Sequence, residues 1–189
     1  MIPSFPSDYF IDTKLKDDTK VLFRPITPND DDLMLEGFYE LSEESKYLRF
    51  FSWKREMSRK EIKKYTNIDY ENNFALGAII EVTGNDGKPR EKGIGVARFV
   101  RDPQNPSAAE MAVVVIDEWQ GKGCGSQLLL QLIRIAKQKG IQWVVGYTLP
   151  ENRKVFDILR KSGYQFNLNT TKDKFHSNLT SPNLKLGVT

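Results

Sequence analysis

The sequence predicts an α/β (α+β) fold in which a mixed central β-sheet carries helices on both faces. Three observations support that reading. An apolar, β-branched run at residues 111–116 is followed by a glycine-rich turn, then by Leu128, Leu129, Leu132, Ile133 and Ala136 at helical spacing. Two strand-like segments, 74–83 and 93–101, flank the turn residues Asn85-Asp86-Gly87, as in a hairpin. The whole order is strand, helices, antiparallel hairpin, strand, helix, strand, helix, strand, which is the order of a mixed sheet covered on each side.

Taken along the chain, residues 1–19 are polar, carry two prolines and show no clear period. They are expected to form an irregular N-terminal arm ahead of a single domain spanning 20–189. A strand at about 20–25 leads to a helix capped by Thr27 or Asn29, with Leu33, Leu35, Phe38 and Leu41 on its apolar side. A second short helix over 42–51 carries Tyr47, Leu48, Phe50 and Phe51. Ser58-Arg59-Lys60-Glu61 has the form of a capping box and opens a helix to about Tyr65. After the hairpin, residues 102–106 form a loop and 108–116 the next strand. The glycine-rich turn and its helix follow, then a strand over 141–148. A helix then begins at Asn152 and closes at Gly163, well placed as a C-cap. The tail holds two further strands, about 164–169 and 174–179.

Bulk properties narrow the function. A chain of 189 residues suits one domain and buries roughly two thirds of its unfolded surface. With 28% charged and 39% hydrophobic residues, it has an ordinary soluble balance. The longest apolar runs are strand-length, so no membrane span is expected. Residues 1–12 lack a positive n-region and an apolar h-region, so a cytoplasmic location is expected and the sequon at Asn178 is one on paper only. One cysteine excludes an intrachain disulfide, and one histidine with one cysteine makes a metal site unexpected. The net charge of +3 is too mild to imply a nucleic-acid partner.

The decisive stretch is Gln120-Gly121-Lys122-Gly123-Cys124-Gly125-Ser126, between the buried strand and the amphipathic helix. Alternate glycines let the backbone approach a ligand closely, and the helix N-terminus adds partial positive charge, so the junction is a natural anion seat. It is not a dinucleotide fingerprint: Ser126 stands where the third glycine or alanine belongs, and no acidic residue follows at about 20 residues. Nor is it the phosphate loop of nucleotide hydrolases, because Lys122 lies between glycines and is not followed by Ser or Thr.

The pattern that fits is Q-x-x-G-x-G/A, and with it the chain resembles the GNAT superfamily of acetyl-CoA-dependent N-acetyltransferases. The resemblance covers most of the chain: the first strand and helix cap at 21–30, the loop, and the later helix with Asn152, Gly163 and Tyr164. Two segments, 41–51 and 109–115, are most similar to Pat-type protein lysine acetyltransferases. The resemblance implies the GNAT fold and acetyl-CoA as cosubstrate, with no metal. It implies a primary amine acceptor, a protein lysine or else a small amine, and a monomer or homodimer. Gln120, Gly121, Lys122, Gly123, Cys124, Gly125 and Ser126 would cradle the pyrophosphate. The backbone of Val113, Val114 and Val115 would pair with the pantetheine arm, and Asn152 would hydrogen-bond it or a phosphate. Lys122, Arg153 and Lys154 flank this groove.

The implied reaction is attack of a neutral amine on the acetyl thioester. Deprotonating a free lysine at pH 7 costs about 4.6 kcal/mol, so a general base helps. Glu110 is the candidate, on the same side of the pleat as Ala112 and Val114 and matching the glutamate of Pat-type enzymes, although Met111 replaces their usual aromatic residue. Glu81, Asp117 and Glu118 are weaker candidates. Many GNAT members place a tyrosine acid seven residues after the asparagine; here that residue is Leu159, a departure shared with Pat-type enzymes, which often lack it. Tyr147 and Tyr164 are fallback donors. Cys124 reads as a small filler whose alkylation would block the groove, and His176 as a surface residue. A non-catalytic acyl-CoA sensor is the reading from another class, with the missing tyrosine in its favour and Glu110 and the intact loop against it.

Overall fold

Local capping chemistry sets most helix starts in the computed structural model, which describes residues 6–149, 152–161, 165–169 and 174–178. Thr27 and Asp30 form a reciprocal box, with the Asp30 carboxylate accepting from the Thr27 amide at 2.6 Å, and the helix α1 (Asp31–Glu40) follows. The Ser42 hydroxyl accepts from the Ser45 amide to open α2 (Glu43–Phe50). Ser58 and Glu61 complete the expected box at the head of α3 (Arg59–Thr66). The strands are β1 (Ile11–Lys14), β2 (Lys20–Pro25), β3 (Asn73–Thr83), β4 (Pro89–Arg101), β5 (Ala108–Val115), β6 (Trp143–Tyr147), β7 (Gln165–Asn169) and β8 (Lys174–Asn178). The helix α4 (Cys124–Gln138) joins β5 to β6, and α5 (Arg153–Lys161) follows β6.

The eight strands among the described residues form one mixed sheet, ordered β1-β2-β3-β4-β5-β6-β8-β7. The β5–β6 pair is parallel, and every other pair is antiparallel. Alternation along β5 separates the two faces. Met111 and Val115 join Leu128, Leu132 and Ile133 of α4 in the main core, with Phe23, Phe74 and Phe99. Ala112 and Val114 instead line a cavity walled by residues of α1 and α3. Helices therefore cover both faces. A smaller apolar cluster, Phe38, Met57 and Ile62, fills the space among α1–α3.

The N-terminal arm departs from the expected irregular segment. β1 pairs with β2 from Ile11↔Phe23 to Lys14↔Lys20, and Leu15 is buried. The Lys16 amide then donates to the Lys122 carbonyl at 3.0 Å, and Gln127 donates to the Lys14 carbonyl at 3.0 Å, which ties the arm to the start of α4. A four-residue edge strand is too short to declare a period against polar neighbours. β4 also begins at Pro89, four residues before the expected start. That added stretch, Pro89-Arg90-Glu91-Lys92, is charged and largely exposed, so it shows no apolar alternation. Gly163 and Tyr164, the expected helix stop, lie outside the described residues, as do Leu179 and Thr180 of the sequon.

One buried ion network secures the end of β2. Arg24 donates to both Asp30 oxygens at 2.9 and 2.8 Å and to Glu91 at 2.8 Å. Burial alone would raise the Asp30 carboxyl, but the hydrogen bonds from Arg24 and Thr27 prevail and hold it below its ordinary value.

Candidate active site

The site forms where the sheet comes apart. β5 and β6 pair at only three positions, ending at Glu110↔Val145. Among the described residues, no strand pairs with β5 on that side from Met111 to Val115. Its backbone groups there are an open edge, which an extended ligand can complete. Glu110 stands at the fork and is exposed. Its antiparallel partner is Val100, and the next pairs inward on the same face are Arg98↔Ala112 and Val96↔Val114.

The open edge leads into a groove of about 370 Å³, lined by Val113, Val114 and Val115, by the loop, and by the start of α5. That volume is in the range of small-ligand sites. Gly121 and Gly123 have φ values of 75° and 92°, a region that favours glycine, and Gly123 is the N-cap of α4. The first helical bond of this end runs from the Gln127 amide to the Gly123 carbonyl. The amides of Cys124, Gly125 and Ser126 precede it and have no helical acceptor. Gly125 serves close packing: a Cβ there would lie 3.3 Å from Ile158 and 3.4 Å from Val115. An unpaired strand edge, a turn of orphan amides and a helix N-terminus in one groove fit an extended thiol cofactor with a pyrophosphate.

Gln120 acts through its side chain as a tie. It donates to the Val115 carbonyl at 2.9 Å and to the Ser45 hydroxyl at 3.1 Å, and accepts from Lys154 at 2.6 Å. It thereby joins the strand end, α2 and α5 around the loop. Asp117 extends the tie. Although burial opposes it, the amide and hydroxyl of Ser42 and the hydroxyl of Ser45 hold its carboxyl below the ordinary value. It is thus a structural anion rather than a base. Asn152 caps α5, its side-chain oxygen accepting from the Val155 amide at 3.4 Å, and it also lines the groove.

Two loop residues point elsewhere. Lys122 pairs with Asp17 at 3.1 Å, and its ammonium lies 4.2 Å from the Trp119 ring centre. Cys124 is buried in the core, and burial pushes its thiol up to about 12. Only the backbones of Lys122 and Cys124 belong to the turn, so an alkylation of Cys124 that blocks the groove is not what this geometry allows. Among the groove-lining residues that sequence reasoning missed are Lys16, Ser45, Leu48 and Arg49, with the carboxylates Glu44 and Asp157. Lys16 was hidden by the reading of the arm as irregular, and its methylenes lie over Gly123. Ser45, Leu48 and Arg49 sit on a helix whose position depends on the Asp117 tie, and no local pattern announces that.

At the end away from the loop, a recess of about 60 Å³ brings together Glu110, Arg49, Tyr147, Asn152 and Leu159. Leu159 is buried. No group of three or more metal-ligating side chains occurs among the described residues, and no described helix is long and apolar enough to cross a membrane.

Residues 20–165 match the family described as Acetyltransferase (GNAT) domain. The chain is 34% identical over 146 residues to Acetyltransferase Pat of Mycolicibacterium smegmatis, covering 72% of this chain and 39% of that protein. It therefore spans well under half the length of that relative. An acetyltransferase of Pseudomonas aeruginosa is 26% identical over 157 residues, with 83% of this chain and 81% of that protein covered. Among solved structures, the GNAT domain of S. lividans PAT superposes with a TM-score of 0.79 at 26% identity, covering 92% of this chain and 98% of that one.

Proposed function

This chain belongs to the GNAT acetyltransferase family, and on that premise we propose that it transfers an acetyl group from acetyl-CoA to a protein lysine side chain. One observation carries the reading: the open β5 edge at Met111–Val115 runs from the amide-rich turn of α4 to Glu110 at the fork. On this reading the edge at Val113, Val114 and Val115 receives the pantetheine arm, with one N–H directed at the thioester oxygen. The turn from Gln120 to Ser126 receives the pyrophosphate through its amides, Lys122 and Cys124 taking part by backbone alone. Asn152 contributes from the head of α5. Glu110 removes the acceptor proton, through water because its carboxylate is exposed.

Support for a lysine acceptor comes from the likeness of segments 41–51 and 109–115 to Pat-type enzymes, and from the Pat names of two of the relatives. A small amine acceptor is favoured by one feature, an apolar cavity of about 80 Å³ under α1–α3, which has room for only a few heavy atoms. The deciding experiment is thiol release from acetyl-CoA against a lysine-peptide array and a panel of small amines. Turnover on peptides supports the lysine reading; turnover confined to small amines refutes it in favour of the second.

A further inference from the structure

Three spaces meet at Arg49. It lines the groove, the recess with Glu110, and the cavity under α1–α3. The cavity and the groove share Arg49 and Val114 as lining residues, and the cavity is lined by a second arginine, Arg98.

These two arginines differ from the other partly or fully withdrawn arginines of the fold. Arg24 holds two carboxylates, Asp30 and Glu91, and Arg101 lies 3.8 Å from Glu71. Arg49 and Arg98 have no ion pair among the described residues. Arg98 donates to the Tyr65 carbonyl at 2.6 Å and lies over the Tyr65 ring at 4.8 Å. Arg49 lies over the Phe50 ring at 5.2 Å. Loss of water lowers both guanidinium pKa values, Arg98 to about 10, with Arg49 repelling it as a further cause. The charge of Glu110, which shares the recess with Arg49, acts on Arg49 from beyond ion-pair distance. Two like charges lining one partly dry space, with no carboxylate in direct contact, are costly, and a bound carboxylate would offset that cost.

We propose that Arg49 and Arg98 form a carboxylate-binding subsite at the transfer centre. The proposal rests on the reading of the groove as an acyl-CoA site. A cavity of about 80 Å³ is roughly half of one that holds benzene, so it takes three or four heavy atoms, the size of a carboxylate on one methylene. The planar, two-pronged carboxylate matches the guanidinium fork, and the apolar floor of Gly77, Ile79 and Gly93 suits the methylene. Two sources present this chemistry at the junction: the far end of a dicarboxylic acyl chain on the donor, or a carboxylate next to the amine of the acceptor.

Calorimetric binding of acetyl-CoA, butyryl-CoA and succinyl-CoA separates them, paired with binding of amino acids and their α-amides to the CoA-loaded protein. The expected result is a preference of about tenfold or more for the carboxylated ligand in one arm, falling to near unity in Arg98→Met and in Arg49→Met. A preference in the succinyl arm assigns the donor; one in the amino-acid arm assigns the acceptor. Tight acetyl-CoA binding with less than a twofold preference in both arms overturns the subsite and leaves the proposed function standing. Absence of any CoA thioester binding overturns the proposed function, and the subsite with it. The wild-type preference is read without any variant, so misfolding of either substitution does not blunt the test.

Discussion

Glu110→Gln isolates the proposed proton transfer. Glu110 is exposed at the end of the paired part of β5, and among the described residues no hydrogen bond or ion pair holds its carboxylate. Its charge is felt by Arg49, but nothing in the packing depends on it. An isosteric amide should leave stability within about 0.5 kcal/mol of wild type. Any large kinetic loss then belongs to the chemistry. A lysine acceptor at pH 7 must give up a proton at a cost of about 4.6 kcal/mol, and a positioned base contributes about 10²–10⁴-fold. We expect kcat/KM on a lysine peptide to fall by that factor at pH 7, with KM for acetyl-CoA little changed. The gap should narrow as pH rises toward 9, where solution supplies more neutral amine. It should also narrow for an N-terminal amine, whose pKa near 8 needs far less help. The assay is thiol release from pH 6.5 to 9 on matched peptides, beside a thermal melt. A variant that keeps activity within threefold at pH 7, or that loses it equally for both amines at every pH, refutes Glu110 as the base.

Cys124 should resist iodoacetamide at pH 8 in the native protein and react fully in denaturant, because burial holds its thiol near 12; rapid native labelling contradicts the packing. Asp30→Asn should cost about 3 kcal/mol by stranding Arg24, with Glu91 as its remaining partner. Since the folded pKa of Asp30 is depressed, its contribution is complete above the unfolded value near 3.9 and is lost as pH falls through the folded value. The melting gap between wild type and Asp30→Asn should therefore shrink below pH 4, and a constant gap contradicts the assignment. Gly123→Ala should destabilise by about 1–2 kcal/mol, because alanine must adopt φ near 92°, and should weaken CoA binding measured by calorimetry; an unchanged melt refutes the strained turn. Leu159→Tyr should destabilise by about 1–3 kcal/mol through overpacking rather than restore an acid; a stable variant with faster thiol release contradicts that.

The elements that carry strong local chemistry were legible. The cap at Thr27, the capping box at Ser58–Glu61, the hairpin turn and the apolar period of α4 each act within a few residues of chain, and each appears where the pattern places it. The loop glycines were legible because positive φ restricts residue choice. The parting of β5 from β6 was not, since both strands are apolar and nothing in their composition states where pairing stops. β1 was missed because edge strands are half-solvated and short. Arg49 and Arg98 were invisible for a different reason. An arginine on an otherwise polar helix or in a strand reads as a solvated charge, and only the meeting of α2, α3 and β4 withdraws both from water around one cavity.

The leucine at 159 bears on how the proposed reaction ends. A donor acid at this turn of α5 would have to enter the recess beside Glu110, but the chain commits the position to buried apolar packing. With no acid at this position, the departing sulfur can leave as thiolate, which a thiol of ordinary pKa near 8.5 does at modest cost at neutral pH. Tyr147, which lines the same recess, is the remaining side chain there that could donate a proton. The groove as a whole leans positive: Lys16, Arg49, Arg153 and Lys154 line it against the carboxylates of Glu44 and Asp157, and Arg49 is the cation that also lines the recess with Glu110. Proton removal from the incoming amine is the costlier event, at about 4.6 kcal/mol for lysine. A site with one exposed carboxylate at the fork and cations along the groove is built for that imbalance. On the proposed reading it would remove a proton where the amine arrives and tolerate negative charge where the thiol leaves.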